Sequence, residues 1–160
     1  MNRVVVMKPA TRLDILPLYT AKVTSRGGEG LLVEIWQVPS PATPQACTRR
    51  RVAGLHGRNL SLVENRLLKQ LRLLGVDTVG LAHHEVREFQ IGEEDALRLG
   101  LMFRVLAPMR SWSNISACVS GIEAMGREES AYWLGMAMHR KHPRRVLTAL
   151  RYLLADRSRS

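Results

Sequence analysis

Two short runs of alternating hydrophobicity, Tyr19, Ala21, Val23 and Leu31, Val33, Ile35, flank the glycine-rich segment Ser25-Arg26-Gly27-Gly28-Glu29-Gly30. Period two is the strand period, and glycine tolerates the positive φ that tight hairpin loops demand. The pattern therefore predicts an antiparallel hairpin from about Leu18 to Val38. The same glycines lack the Lys-Ser/Thr ending of a phosphate loop and the following helix of a dinucleotide site, so turn geometry accounts for them. Val4 to Met7 offers a further strand, and the proline-rich stretch Pro39 to Pro44 closes the β-rich part, because proline cannot donate a ladder bond.

Beyond a short strand expected near Arg51 to Leu55, the period changes. Ser61 and Glu64 form a capping box, Val63, Leu67, Leu71 and Leu74 recur at helical spacing, and Gly75 supplies a stop, which predicts a helix over about Leu62 to Leu74. From Asp77 to Ile91 the alternation of Val86, Glu88 and Gln90 against Arg87, Phe89 and Ile91 is compatible with an extended segment, without deciding between strand, helix and loop. Glu93, Glu94 and Asp95 suit the positive end of a helix running from Ala96 to Ala107, apolar nearly all round and ended by Pro108. Ser111 or Ser113 can cap a next helix carrying Ile115, Val119, Ile122 and Met125. Glu128 and Glu129 open another, and Pro143 opens the last, with Val146, Leu147, Leu150 and Leu154 inward. The expected architecture is α+β: an N-terminal antiparallel hairpin or small sheet packed on a C-terminal helical bundle. Its domain plan is a single domain, with residues 1–38 β-rich, 39–48 a proline-rich connection, and 49–160 mainly helical with a basic tail.

Composition matters through the location of its charge. Twenty-four Lys and Arg stand against fourteen Asp and Glu, for a formal charge of +10. Seven bases, Arg49, Arg50, Arg51, Arg58, Arg66, Lys69 and Arg72, share a segment with Glu64 alone. Seven more, Arg140, Lys141, Arg144, Arg145, Arg151, Arg157 and Arg159, share theirs with Asp156 alone. Arginine dominates both, and its planar fork suits bidentate contact with phosphate. On the last helix, Arg144, Thr148 and Arg151 fall opposite Leu147, Leu150 and Leu154, so that helix is expected to pack and still present bases outward. The candidate nucleic-acid-binding residues are Arg49, Arg50, Arg51, Arg58, Arg66, Lys69, Arg72, Arg140, Lys141, Arg144, Arg145 and Arg151.

Signals for chemistry are sparse. Cys47 and Cys118 have no CxxC or Cys-His spacing, which argues against a disulfide framework or zinc site and fits a reducing, cytoplasmic setting. His84 and Glu88 stand at i, i+4, a metal-ligand spacing only if the segment is helical, and no third ligand is in register with them. His139 and His142 flank a helix junction beside Arg140 and Lys141, where they are expected to cap or solvate the turn. No catalytic residue, metal ligand or cofactor is expected. The short apolar run at Val4 to Met7 is too small for a signal-peptide core, and no window of about twenty residues is apolar enough to span a bilayer.

The run Gly126-Arg127-Glu128-Glu129-Ser130-Ala131-Tyr132-Trp133-Leu134-Gly135-Met136, continuing through Pro143-Arg144-Arg145-Val146-Leu147-Thr148-Ala149-Leu150-Arg151, resembles the closing segment of an uncharacterised family of small bacterial proteins. The resemblance covers the last third of the chain. It implies a setting beside ATPases, helicases and methyltransferases in anti-phage defence gene clusters, and it supplies no functional residues. Charge and resemblance together lead to the expectation of a non-catalytic basic subunit. It would contact nucleic-acid phosphates without reading sequence and dock on larger protein subunits, away from membranes. The alternative is a protein adaptor whose arginines and Met/aromatic surface meet an acidic partner, and a nucleic-acid enzyme is the third possibility.

Overall fold

The computed structural model describes residues 18–38, 49–56, 61–109, 115–139 and 141–159. The strand expected at Val4 to Met7, the Pro39 to Pro44 connection, Cys47, Arg58, the Ser111 or Ser113 cap and Arg140 lie outside them. The chain divides into two compact units, one ending at Ala96 and one beginning at Leu97.

The first unit is built on a four-stranded sheet. Strands β1 (Leu18–Ser25) and β2 (Leu31–Val38) form the expected hairpin, β3 (Arg50–His56) follows, then helix α1 (Ser61–Leu73), then β4 (Val86–Ile91). The order across the sheet is β3-β2-β1-β4, with every neighbour antiparallel. The segment left open between Asp77 and Ile91 thus ends as a strand, with Ala21 opposite Phe89 and Tyr19 opposite Ile91. The sheet therefore takes residues from well beyond position 48, and α1 lies between two of its strands in the chain.

The hairpin turn is a single 3-10 turn, Gly27–Glu29, closed by Arg26 N–H to the Gly30 carbonyl (2.9 Å) and Gly30 N–H to the Gly27 carbonyl (3.0 Å). Gly27 is doubly required: its φ is +60°, and a side chain there would run into the His83 ring. Backbone bonds from Ser25 N–H to Glu85 (2.9 Å) and from His84 N–H to Ser25 (2.9 Å) fix the loop before β4 against this turn.

One face of the sheet is apolar. Ala21, Val23, Val33, Ile35, Ala53 and Leu55 meet in register and are buried, the cross-strand unit that stabilises antiparallel sheets. Val52 and Ala53 are both buried although adjacent on one strand, which alternation alone forbids. A bulge resolves this: Ile35 pairs with Ala53 and Trp36 pairs with Arg51, so Val52 is the extra residue, and Arg51 is carried to the polar face.

The second unit is helical. It comprises the body of α2 (Glu93–Leu106), then α3 (Ile115–Glu123), α4 (Arg127–His139) and α5 (Pro143–Ser158). In α2, Leu99, Leu101, Met102, Phe103, Val105 and Leu106 are all buried, as expected for a helix apolar on every side. α3 contributes Ile115, Cys118, Val119 and Ile122, and α5 contributes Leu147, Leu150, Leu154 and Ala155. α3 and α5 approach closely at Gly121, where an added Cβ would sit 2.5 Å from Leu154 Cδ2. Met102 and Met125 belong to this core, so they are not part of a Met-rich surface.

Candidate nucleic-acid interface

The arginines of the first cluster separate by role. Trp36, Lys22, Glu34 and Glu88 share the polar face of the sheet, since Lys22 pairs with Glu34 on one side and Glu88 on the other. Arg49 donates to Glu88 Oε1 at 2.8 Å and lies over the Trp36 ring, its guanidinium carbon 4.6 Å from the centroid. The Glu88 side chain is only 5% exposed, so Arg49 neutralises a buried carboxylate while covering an aromatic face. Arg50 Nη2 donates to Gln37 Oε1 at 3.0 Å, and Arg51 Nε donates to Glu34 Oε2 at 2.6 Å. These three residues, expected from sequence as phosphate contacts, are exposed, and each also holds a partner in the sheet, Arg49 on β4 and Arg50 and Arg51 on β2. In α1, Arg66 is half-buried, while Lys69 and Arg72 are exposed three residues apart on one side of the helix.

The second cluster divides again. Arg151 does not project outward with Arg144 as its helical position suggests. It is half-buried, its Nη1 donates to the Val105 carbonyl (3.4 Å) in the last turn of α2, and its Nη2 donates to Thr148 Oγ1 (3.1 Å). The reason is local electrostatics: helix-end carbonyls lack intrahelical donors and carry partial negative charge, which a long cation beside them satisfies. Arg98 performs the same task for the Met125 carbonyl after α3, at 3.2 Å. Arg157 is held by Glu129 through two hydrogen bonds (2.9 and 3.4 Å), and Arg159 lies 3.6 Å from Asp156.

Lys141, Arg144 and Arg145 remain. All three are exposed, Lys141 just before α5 and the two arginines in its first turn, and they make no ion pair or hydrogen bond through their side chains among the described residues. The first turn of α5 contains no acidic residue, Pro143 opens it, and His142 at the N-cap makes no side-chain cap bond. Cations here face the positive end of the helix dipole, an arrangement that costs roughly 0.3–1 kcal/mol for each at low salt and that an anion would reverse. Lys69 and Arg72 belong to the other unit.

No group of three potential metal ligands occurs among the described residues. His84 takes a φ of +65° in the turn before β4, and Glu88 lies within that strand, so their i, i+4 spacing is not helical. Cys118 is buried in α3, and burial pushes its thiol pKa up, the nearby Arg151 charge pulling the other way with smaller effect. A cleft of about 480 Å³ lies between α3, α4 and α5, lined by Ser116, Ser120, Gly121, Glu129, Leu154 and Arg157. Among the described residues, no helix is long and apolar enough to cross a membrane.

Sequence reasoning overlooked Tyr152, which is highly exposed on α5 seven residues after Arg145. The spacing was a readable signal, because residues seven apart return to the same side of a helix.

No curated protein and no solved structure matched the chain. One family did, over residues 19–156, a span that begins in β1 and ends in the last turn of α5. Sheet and helices are both inside that match, and the chain is accordingly a member of the family described as Domain of unknown function (DUF7680).

Proposed function

We propose that this protein is a non-catalytic basic subunit that contacts nucleic-acid phosphates through the exposed cations at the start of α5. The observation that carries the reading is the cluster Lys141, Arg144 and Arg145, exposed, without internal partners among the described residues and placed where a helix disfavours positive charge. Most other described arginines of the two basic segments already hold an internal partner, Arg49, Arg50, Arg51, Arg151, Arg157 and Arg159 among them, so the cations left unpaired for phosphate are fewer than the sequence implies, with Lys69 and Arg72 as a second exposed pair. Contacts of this kind position a backbone without reading bases. A cytoplasmic assembly for bacterial defence or nucleic-acid processing is the setting that the resemblance of the C-terminal third supports.

The test is binding to DNA and RNA followed against salt. Phosphate contacts give a linear fall of log K with log salt, and replacing Arg144 and Arg145 by Gln should reduce that slope by about 0.7–0.9 for each phosphate no longer neutralised. Absence of any complex with nucleic acid, together with loss of co-purification with an acidic protein in the same variants, would replace this reading by the adaptor.

A further inference from the structure

The solvent side of α5 carries more than charge. Its buried residues, Leu147, Leu150 and Leu154, define the inward direction. At 100° per residue, the opposite side carries Arg145, Ala149, Tyr152 and Asp156, and Lys141 lies just before the helix, ahead of its N-cap His142. All five are exposed. Tyr152 is 73% exposed, lies about 10 Å along the axis from Arg145, and is separated from it by nothing larger than Ala149 and the edge of Thr148. The negative charge of Asp156 lies farther along the same ridge, where Arg159 approaches to 3.6 Å.

A ridge that only followed phosphates would need no aromatic. Leaving a large ring in water forgoes the gain of burying it, and the ring has flat faces that a second π-system can cover. In a duplex the base faces are occupied by their neighbours, and only base edges line the grooves. In a single strand they are available, and a ring beside a line of cations is the arrangement by which proteins take up unpaired strands. Resting on the proposed contact with phosphates, we infer that this ridge binds single-stranded nucleic acid in preference to duplex, with Lys141 and Arg145 on the backbone and Tyr152 stacked on a base. Ala149, the small residue between them, leaves room for a strand to lie along the ridge.

The experiment compares full-length protein binding to oligothymidylate, oligouridylate and a duplex of the same length, by fluorescence anisotropy at one salt concentration. Single strands should bind at least about tenfold more tightly than duplex, and Tyr152→Ala should weaken single-strand binding about 5- to 100-fold while changing duplex binding less than about twofold. Tyr152→Phe, which keeps the ring, should retain the preference. The thymidylate and uridylate arms tell DNA from RNA. If single strand and duplex bind alike, with Arg145→Gln weakening both and Tyr152→Ala neither, the phosphate reading stands and the single-strand inference falls. If no nucleic acid binds at all, both fall. Circular dichroism of Tyr152→Ala should match the parent, because so exposed a side chain supports little of the fold.

Discussion

Arg51 passes over Gly54, a position without a side chain, to place its Nε 2.6 Å from Glu34 Oε2, and Gly54 is the residue directly opposite Glu34 in the sheet. A Cβ at Gly54 would overlap the Arg51 guanidinium, so glycine leaves the path of that ion pair clear. The pair is partly exposed, and its coupling in a double-mutant cycle of Arg51→Gln and Glu34→Gln, followed by urea unfolding, should be about 0.2–1 kcal/mol. In a Gly54→Val background the coupling should vanish. Persistence of the full coupling there would show that the guanidinium reaches Glu34 by another route.

Arg49 should behave as a structural residue. Arg49→Ala strips a buried carboxylate of its partner and uncovers Trp36, and should cost about 1–3 kcal/mol of stability with a change in tryptophan fluorescence. Arg49→Ala with Glu88→Gln should recover part of that loss, since the uncompensated charge is then gone. Equal stabilities for both variants and the parent would refute the role.

The arginines of α5 should separate by sign. Arg151→Gln removes the donor to the Val105 carbonyl and should lower stability by about 0.5–1.5 kcal/mol. Arg144→Glu and Arg145→Glu place negative charge at the start of the helix and should each raise stability by about 0.3–1 kcal/mol at low ionic strength, an effect that shrinks with added salt. The same two variants should bind nucleic acid less well. Thermal unfolding at two salt concentrations reads both directions, and destabilisation by Arg145→Glu at low salt would contradict the uncompensated cluster.

At Gly121, α3 comes close enough to α5 that an added Cβ would overlap Leu154. Gly121→Val drives a branched side chain into Leu154, which is itself buried, and should destabilise by about 1–3 kcal/mol. A compensating Leu154→Ala should restore part of this, measured by denaturant unfolding, whereas purely additive losses would place the strain elsewhere.

Cys118 should make stability fall at alkaline pH. Its thiol is raised in the folded protein, so between its unfolded and folded pKa values the folded state holds the extra proton, and stability falls as pH rises above about 9. Cys118→Ala should flatten this alkaline limb at some cost in packing. Native protein treated with iodoacetamide should leave Cys118 unmodified by peptide mapping, because a buried thiol that keeps its proton is a poor nucleophile.

The hairpin and the helix ends were legible from sequence because their signals are local. The alternation in Leu18–Val38, the glycines between, the acids at positions 93–95, and Pro143 at the start of α5 each act within a few residues along the chain. Tertiary structure alone decided the rest. That β4 joins β1 depends on pairing across 62 to 72 positions, and the two adjacent buried residues Val52 and Ala53 acquire a reason only when β2 supplies the register that makes a bulge. The same holds for charge. Composition counted Arg49, Arg51 and Arg151 with Lys141, Arg144 and Arg145, but an arginine is paired within the fold wherever folding brings a shielded carboxylate or an open helix-end carbonyl within reach of its long side chain, and those partners, Glu88, Glu34 and Val105, lie 39, 17 and 46 residues away.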